Sequence, residues 1–202
     1  PVVENASLTT VAADAFDECC TQLCRNQTDA GGACCSGDIV IDPAITSLAD
    51  HAFDGCSNLI SVEMSLVTVV GSFAFRGCSS LISVNMSLVT SVEDYSFYSC
   101  SSLTSVNMSF LVNVGSKAFL SCTSLTSVDM PLVTSVGNSA FYICSSLASM
   151  NMPLVKSVGA SAFRACTSLA SVNMPLISSV GDLSFESCSS LHSFNAPGHL
   201  SL

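Results

Sequence analysis

From Leu125 to Met130 the chain reads Leu-x-x-Val-x-Met, with polar residues at the positions between. Such alternation is the mark of a short strand with one buried side. Pro131 follows, as do Pro153 and Pro175 in equivalent places, and a proline sits well at a strand end. Leu132 to Val136 reads as a second short extended stretch, after which Gly137 turns the chain. Ser139 through Cys144 is too short for a long helix and suits a single helical or 3-10 turn.

The same pattern recurs along the chain. Phe53, Phe75, Phe97, Phe119, Phe141, Phe163 and Phe185 are spaced by 22 without a slip. Three residues after each stands a cysteine, from Cys56 to Cys188, and three further on a leucine, from Leu59 to Leu191. One coil of 22 residues cannot bury its own apolar edge, so the coils must stack, Leu on Leu and Phe on Phe. The predicted fold class is an α/β repeat solenoid: parallel strands about 4.8 Å apart joined by short helical or 3-10 turns. Stability is then a sum of nearest-neighbour terms.

The register extends backwards. Val40 to Phe53 fits the second half of a unit and Leu8 to Cys19 fits another, with an insertion of 15 residues between them. This divides the chain into residues 1–38, a partial repeat with a Cys- and Gly-rich cap, and residues 39–202, an array of seven to eight coils. The coil that starts at Leu191 is incomplete.

Charge narrows the function classes. Hydrophobic residues make up 49% and charged residues 10%, which excludes intrinsic disorder. Five basic against 15 acidic residues give −10, so neither nucleic acid nor an anionic lipid surface is an expected partner. No apolar run reaches the roughly 18 residues of a membrane span. Residues 1–63 hold ten carboxylates and one base, a net −9; residues 64–202 hold five carboxylates and four bases, a net −1. Two thirds of the chain is thus nearly charge-free, which points to an assembly or to a coat of sugar.

The pattern Leu-x-x-Val-x-Met-Pro-x-Val-Thr-Ser-Val-Gly-x-x-Ala-Phe-x-x-Cys resembles the BspA-type leucine-rich repeat over nearly the whole chain. It departs from the commonest leucine-rich repeat, because Leu111 or Val133 stands where that repeat carries an inward Asn or Cys. The resemblance implies a secreted or cell-surface module that binds other proteins or matrix.

Of 12 cysteines, seven stand in the repeat column and Cys19 is an eighth by register. The column reads as buried thiols acting as small apolar side chains beside the phenylalanines. Cys20, Cys24, Cys34 and Cys35 remain, with three ways to pair, and closing this cap by disulfides implies an oxidising compartment. Zinc is a weaker reading, since Cys20-x3-Cys24 has no nearby histidine. Asn5, Asn26, Asn85 and Asn107 head N-x-S/T sequons and are candidates for N-glycans, Asn26 foremost. Asn85 and Asn107 lie on neighbouring strands, too close for two glycans.

Two surfaces could bind a partner. With Leu, Val and Met inward, Ser83, Asn85, Ser105, Asn107, Ser127, Asp129, Ser149, Asn151, Ser171 and Asn173 form an outward strip on the strands. That strip is either a solvated face whose amides bond along the stack or a polar recognition surface. Arg76, Tyr98, Tyr142 and Arg164 share a register position beside the phenylalanine turn and make a rival column, with residue types that usually dominate interfaces.

No catalytic residue, cofactor site or metal site is predicted. Ser and Asp occur as repeated columns, not as a unique activated nucleophile, and the methionines from Met64 to Met174 read as core filling. The leading function is non-enzymatic recognition of a protein or matrix component in a secreted, cell-surface or other oxidising lumenal setting. The alternative is a structural subunit packed among assembly neighbours. Ice or crystal-surface binding is a minor third reading, weakened where Val112, Lys156 and Ser178 interrupt the Thr68, Thr90 and Thr134 column.

Overall fold

The computed structural model describes residues 9–11, 36–41 and 43–197, with β1 described by its backbone alone. Cys20, Cys24, Cys34, Cys35, Asn5 and Asn26 lie outside the described residues, as does most of the cap.

Each coil contributes two short strands to a parallel solenoid. The first face carries β1 (Thr9–Val11), β2 (Ser36–Ile41), β4 (Asn58–Glu63), β6 (Ser83–Asn85), β8 (Ser105–Asn107) and β10 (Ser127–Asp129). It resumes as β12 (Ser149–Asn151), β14 (Ser171–Asn173) and β16 (Ser193–Asn195). The second face carries β3 (Ser47–Leu48), β5 (Val69–Val70), β7 (Ser91–Val92), β9 (Asn113–Val114), β11 (Ser135–Val136), β13 (Ser157–Val158) and β15 (Ser179–Val180). Pairing runs in the sequence register, Val84 beside Val106 and Asn85 beside Asn107, so like residues stack on like. Strand alternation then does what the pattern requires: Val84 and Val106 are buried, while Ser83, Asn85, Ser105 and Asn107 are exposed.

The core is a set of columns. Leu59 to Leu169, Met64 to Met174 and Phe53 to Phe163 are buried in every coil. Successive phenylalanine rings from Phe53 to Phe185 stack at 5.0–5.3 Å with interplanar angles of 10° or less. The cysteines of the column lie beside them. Cys122 Sγ donates to the Phe97 carbonyl at 3.1 Å and Cys144 Sγ to that of Phe119 at 3.1 Å, a bond repeated up the stack. Cysteine is thus a small apolar filler that also satisfies a buried carbonyl. Burial pushes the thiols of Cys78, Cys100, Cys122, Cys144 and Cys166 well up or up from their ordinary value.

The third side corrects the expected turn. No helix or 3-10 segment occurs among the described residues, so the fold is an all-β solenoid rather than an α/β one. The reason lies in where the N–H groups go. In the coil of Phe119, Ala118, Leu120 and Cys122 donate three residues back, to Gly115, Lys117 and Phe119. The alternate N–H groups of Lys117, Phe119 and Ser121 donate instead to Asn138, Ala140 and Tyr142 of the next coil. A helix would keep all of these bonds within its own turn. Left-handed backbone at Lys117 (φ 57°) and Ser121 (φ 62°) breaks any helical run, and the same two positions are left-handed in the neighbouring coils. The side is therefore a staircase of β-turns that ties coil to coil. Gly137 serves it by close approach rather than by special φ: a Cβ there would lie 2.6 Å from the Ser116 nitrogen.

Candidate functional site

On the strand face, the predicted strip forms a line of Ser, Asn and Asp side chains, exposed from Ser83 to Asn151 and half-buried at Ser171 and Asn173. Its asparagines are partly satisfied internally. Asn85 Nδ2 donates to both oxygens of Glu63 at 2.8 and 3.0 Å. Asn173 donates to Asn151 at 2.7 Å, and Asn195 to Asn173 at 2.6 Å. Asn107 accepts from Ser109 at 2.8 Å, so the amide chain has no link between Asn107 and Asp129. The sequons at Asn85 and Asn107 lie on this face, both exposed.

On the turn side, two columns run next to each other, three residues apart in sequence. One holds Asp54, Arg76, Tyr98, Leu120, Tyr142, Arg164 and Glu186; the other, at the first left-handed position, holds His51, Phe73, Tyr95 and Lys117. Their rings stack in register: His51 on Phe73 at 4.9 Å and Phe73 on Tyr95 at 4.7 Å, with Tyr98 edge-on to Tyr95 at 6.0 Å. Cations cover several of the rings. The Arg76 guanidinium lies 5.1 Å from the Phe73 centroid, Lys117 Nζ 4.9 Å from that of Tyr95, and Arg164 5.7 Å from that of Tyr142.

The same cations are anchored. Arg76 grips Asp54 through Nε and Nη2 at 2.8 and 2.6 Å, with His51 Nδ1 on the same carboxylate at 2.8 Å. Arg164 Nε pairs with Glu186 at 2.5 Å. Lys117 Nζ donates to the Tyr95 hydroxyl at 2.7 Å, and that bond raises the lysine pKa above its ordinary value. The result is an aromatic cluster of His51, Phe73, Tyr95 and Tyr98, with Tyr142 beneath Arg164 two coils further on and an acid–arginine pair at each end of the column. Sequence reasoning named Arg76, Tyr98, Tyr142 and Arg164 but left out His51, Phe73 and Lys117. Their spacing from Tyr95 in whole repeats of 22 residues was the available signal.

Among the described residues, no group of three or more His, Cys, Asp or Glu side chains could hold a metal, and no helix is long and apolar enough to cross a membrane. Every buried side-chain nitrogen or oxygen described has a hydrogen-bond partner.

The BspA type leucine rich repeat region matches the chain in six copies over residues 32–148 and 112–202. The chain belongs to this family, whose leucine-rich-repeat solenoids are generally protein-interaction modules. Among solved structures, it is similar to the T. pallidum leucine rich repeat protein TpLRR at 29% identity and a TM-score of 0.74, covering 78% of this chain and 79% of that one. A leucine-rich repeat protein from Bacteroides ovatus is 27% identical, with a TM-score of 0.62 over 78% of this chain and 48% of that one. A leucine rich cell surface protein from Faecalibacterium prausnitzii shares the fold at 21% identity and a TM-score of 0.54, over 80% of this chain and 60% of that one. The chain thus spans about half to four fifths of the lengths of these proteins. No curated protein matches it.

Proposed function

We propose that this chain is a recognition module for a protein or matrix partner, secreted or displayed at a cell surface, and that it binds through the turn side around Tyr95, Tyr98, Lys117 and Tyr142. The observation that carries this reading is the stacked aromatic cluster itself. Its rings are half-buried, held in register by their neighbours, and flanked by Lys117 on the Tyr95 hydroxyl and by Arg76 and Arg164, whose charges are paired with Asp54 and Glu186. Ordered Tyr and Arg side chains lose little conformational freedom on binding, so their contact area converts well into affinity. The strand-face strip has no such anchors, and its asparagines are engaged with Glu63, Ser109 or one another.

The compartment rests on the sequons and on the cysteine-rich cap. Disulfides among Cys20, Cys24, Cys34 and Cys35, and a glycan on Asn26, Asn5, Asn85 or Asn107, belong to the same proposal. A mass decrease on enzymatic N-deglycosylation of chain taken from its native source supports it.

The test is affinity capture of a partner by the immobilised full chain, identification by mass spectrometry, and titration against variants. Tyr98→Ala with Tyr142→Ala is expected to weaken binding at least tenfold, the loss of about 1.4 kcal/mol or more, while Asn151→Ala leaves it unchanged. The reverse pattern moves the site to the strand face and overturns the turn-side assignment.

A further inference from the structure

Between its two strands each full coil turns a corner, and one residue of that corner is always large and apolar: Leu66, Leu88, Phe110, Leu132, Leu154 and Leu176. All six point outward, 38–52% exposed, although the residue after each, Val67 to Ile177, is buried. Each corner is a turn closed by a bond from the buried residue's amide to the methionine carbonyl three residues back, as from Val67 to Met64, and the turn leaves these six side chains to solvent. Packing does not demand leucine here. The opposite corner of the coil carries only Ser or Thr in five successive coils, at Ser79-Ser80, Ser101-Ser102, Thr123-Ser124, Ser145-Ser146 and Thr167-Ser168. Stacked at about 5 Å per coil, the six make an apolar stripe about 25 Å long, the kind of feature that marks an interface.

We infer that this stripe docks against the same stripe of a second copy of the chain, in an antiparallel, two-fold symmetric pair. Charge selects the occupant. Across the six corners, residues 65–70 and their equivalents hold a single charge, Lys156, in a chain of net −10. The stripe's own counterpart is a surface equally free of charge. Symmetry fits as well, because a column of six equal rungs inverts onto itself: Leu66 meets the copy's Leu176, Leu88 its Leu154, and Phe110 its Leu132.

Charge also selects the orientation. Asp38, Asp50, Asp54 and Glu63 crowd one end of the stack, and residues 36–63 carry no Lys or Arg. A parallel pair would set these ends side by side. An antiparallel pair separates them by the stripe's length, well beyond the roughly 8–10 Å over which salt screens charge. It also brings Lys156 of each copy over the coil that carries Glu93 of the other. The stripe is narrow, so the contact belongs to the weak end of specific interfaces. It is independent of the turn-side reading, which uses another side of the coil.

Sedimentation equilibrium of the full chain, from low to hundreds of micromolar at physiological salt, tests the inference. The mass is expected to rise from one chain to two and stop there. Leu132→Asp is expected to raise the dissociation constant at least tenfold. Leu183→Asp, at a residue 54% exposed but off the stripe, is expected to leave it unchanged, with thermal melts verifying that both variants fold. Should Leu132→Asp not fold, Leu132→Ser replaces it. Lys156→Glu is expected to weaken the pair and Lys156→Glu with Glu93→Lys to restore it. A chain that stays monomeric throughout, a Leu132 variant that pairs like the parent, a mass that climbs past two chains, or a charge swap without recovery would each overturn the proposal.

Discussion

The coils of Phe119 and Phe185 share one sequence pattern and differ in their surroundings. Phe119 is sandwiched between Phe97 at 5.2 Å and Phe141 at 5.2 Å and is fully buried. Phe185 stacks on Phe163 alone, meets Phe194 edge-on, and is only half-buried, as are Cys188 and Leu191 of the same coil. The amide of Phe119 donates onward to Ala140, whereas the Phe185 amide has no such bond among the described residues. Nothing within the 22-residue unit accounts for the difference. In this molecule a residue's contribution is set by how many neighbouring coils it has, as a one-dimensional stack requires.

Substitution is the sharpest way to break that comparison. Phe119→Ala is expected to cost about 3–5 kcal/mol in denaturant unfolding, since it opens a cavity between two ordered rings. Phe185→Ala is expected to cost roughly half of that, about 1.5–2.5 kcal/mol, because the ring is only half-buried and has one stacked partner to lose, with the edge of Phe194 on its other contact. Equal costs would contradict the stack.

The thiols carry the comparison into pH. Burial raises Cys78, Cys100, Cys122 and Cys144 above their ordinary value, and in the unfolded chain they titrate near 8.5. With the folded value the higher one, their contribution is fully present below about pH 8.5 and is lost as pH rises beyond it. Each such thiol is expected to lower stability by about 1.4 kcal/mol per pH unit above that point, measured as a fall in the denaturation midpoint. Cys188 is only half-buried, so alkylation mapped by mass spectrometry is expected to modify it in the folded protein while Cys122 stays unmodified.

A smaller effect separates early from late coils. The second left-handed position of the turn side is glycine in two coils, Gly55 (φ 80°) and Gly77 (φ 72°), but isoleucine at Ile143 (φ 63°). A branched side chain is strained there. Ile143→Gly is expected to stabilise the protein by about 0.5–1 kcal/mol and Gly55→Ala to cost about 1 kcal/mol, both read from thermal melts. No Cβ clash confuses the second substitution, since nothing lies within 4 Å of the added carbon.

The stack, its register and its inward and outward columns were legible because each is a strict period of 22 in residue type. The turn side was less so. From Ser139 to Cys144 the residues suit a tight helical turn, and whether an N–H bonds within its coil or to the next depends on the stacking distance, which no single unit encodes. The outward corner leucines were also read as part of an extended stretch. The pair Leu132-Val133 held the clue, because two adjacent apolar residues of an extended stretch would point to opposite sides. Arg76 and Arg164 were legible as a column, but not their pairing with Asp54 and Glu186, which depends on the chain's rise between coils.

Coil-resolved native hydrogen exchange tests the central claim most directly, through a matched pair of amides. Cys122 donates to Phe119 at 3.1 Å and Cys188 to Phe185 at 3.2 Å, the same bond in a fully buried coil and in a half-buried one. Stacking predicts far slower exchange at Cys122 than at Cys188, with protection falling from the Phe97–Phe141 coils toward Phe185. Equal protection at the two cysteines would contradict it.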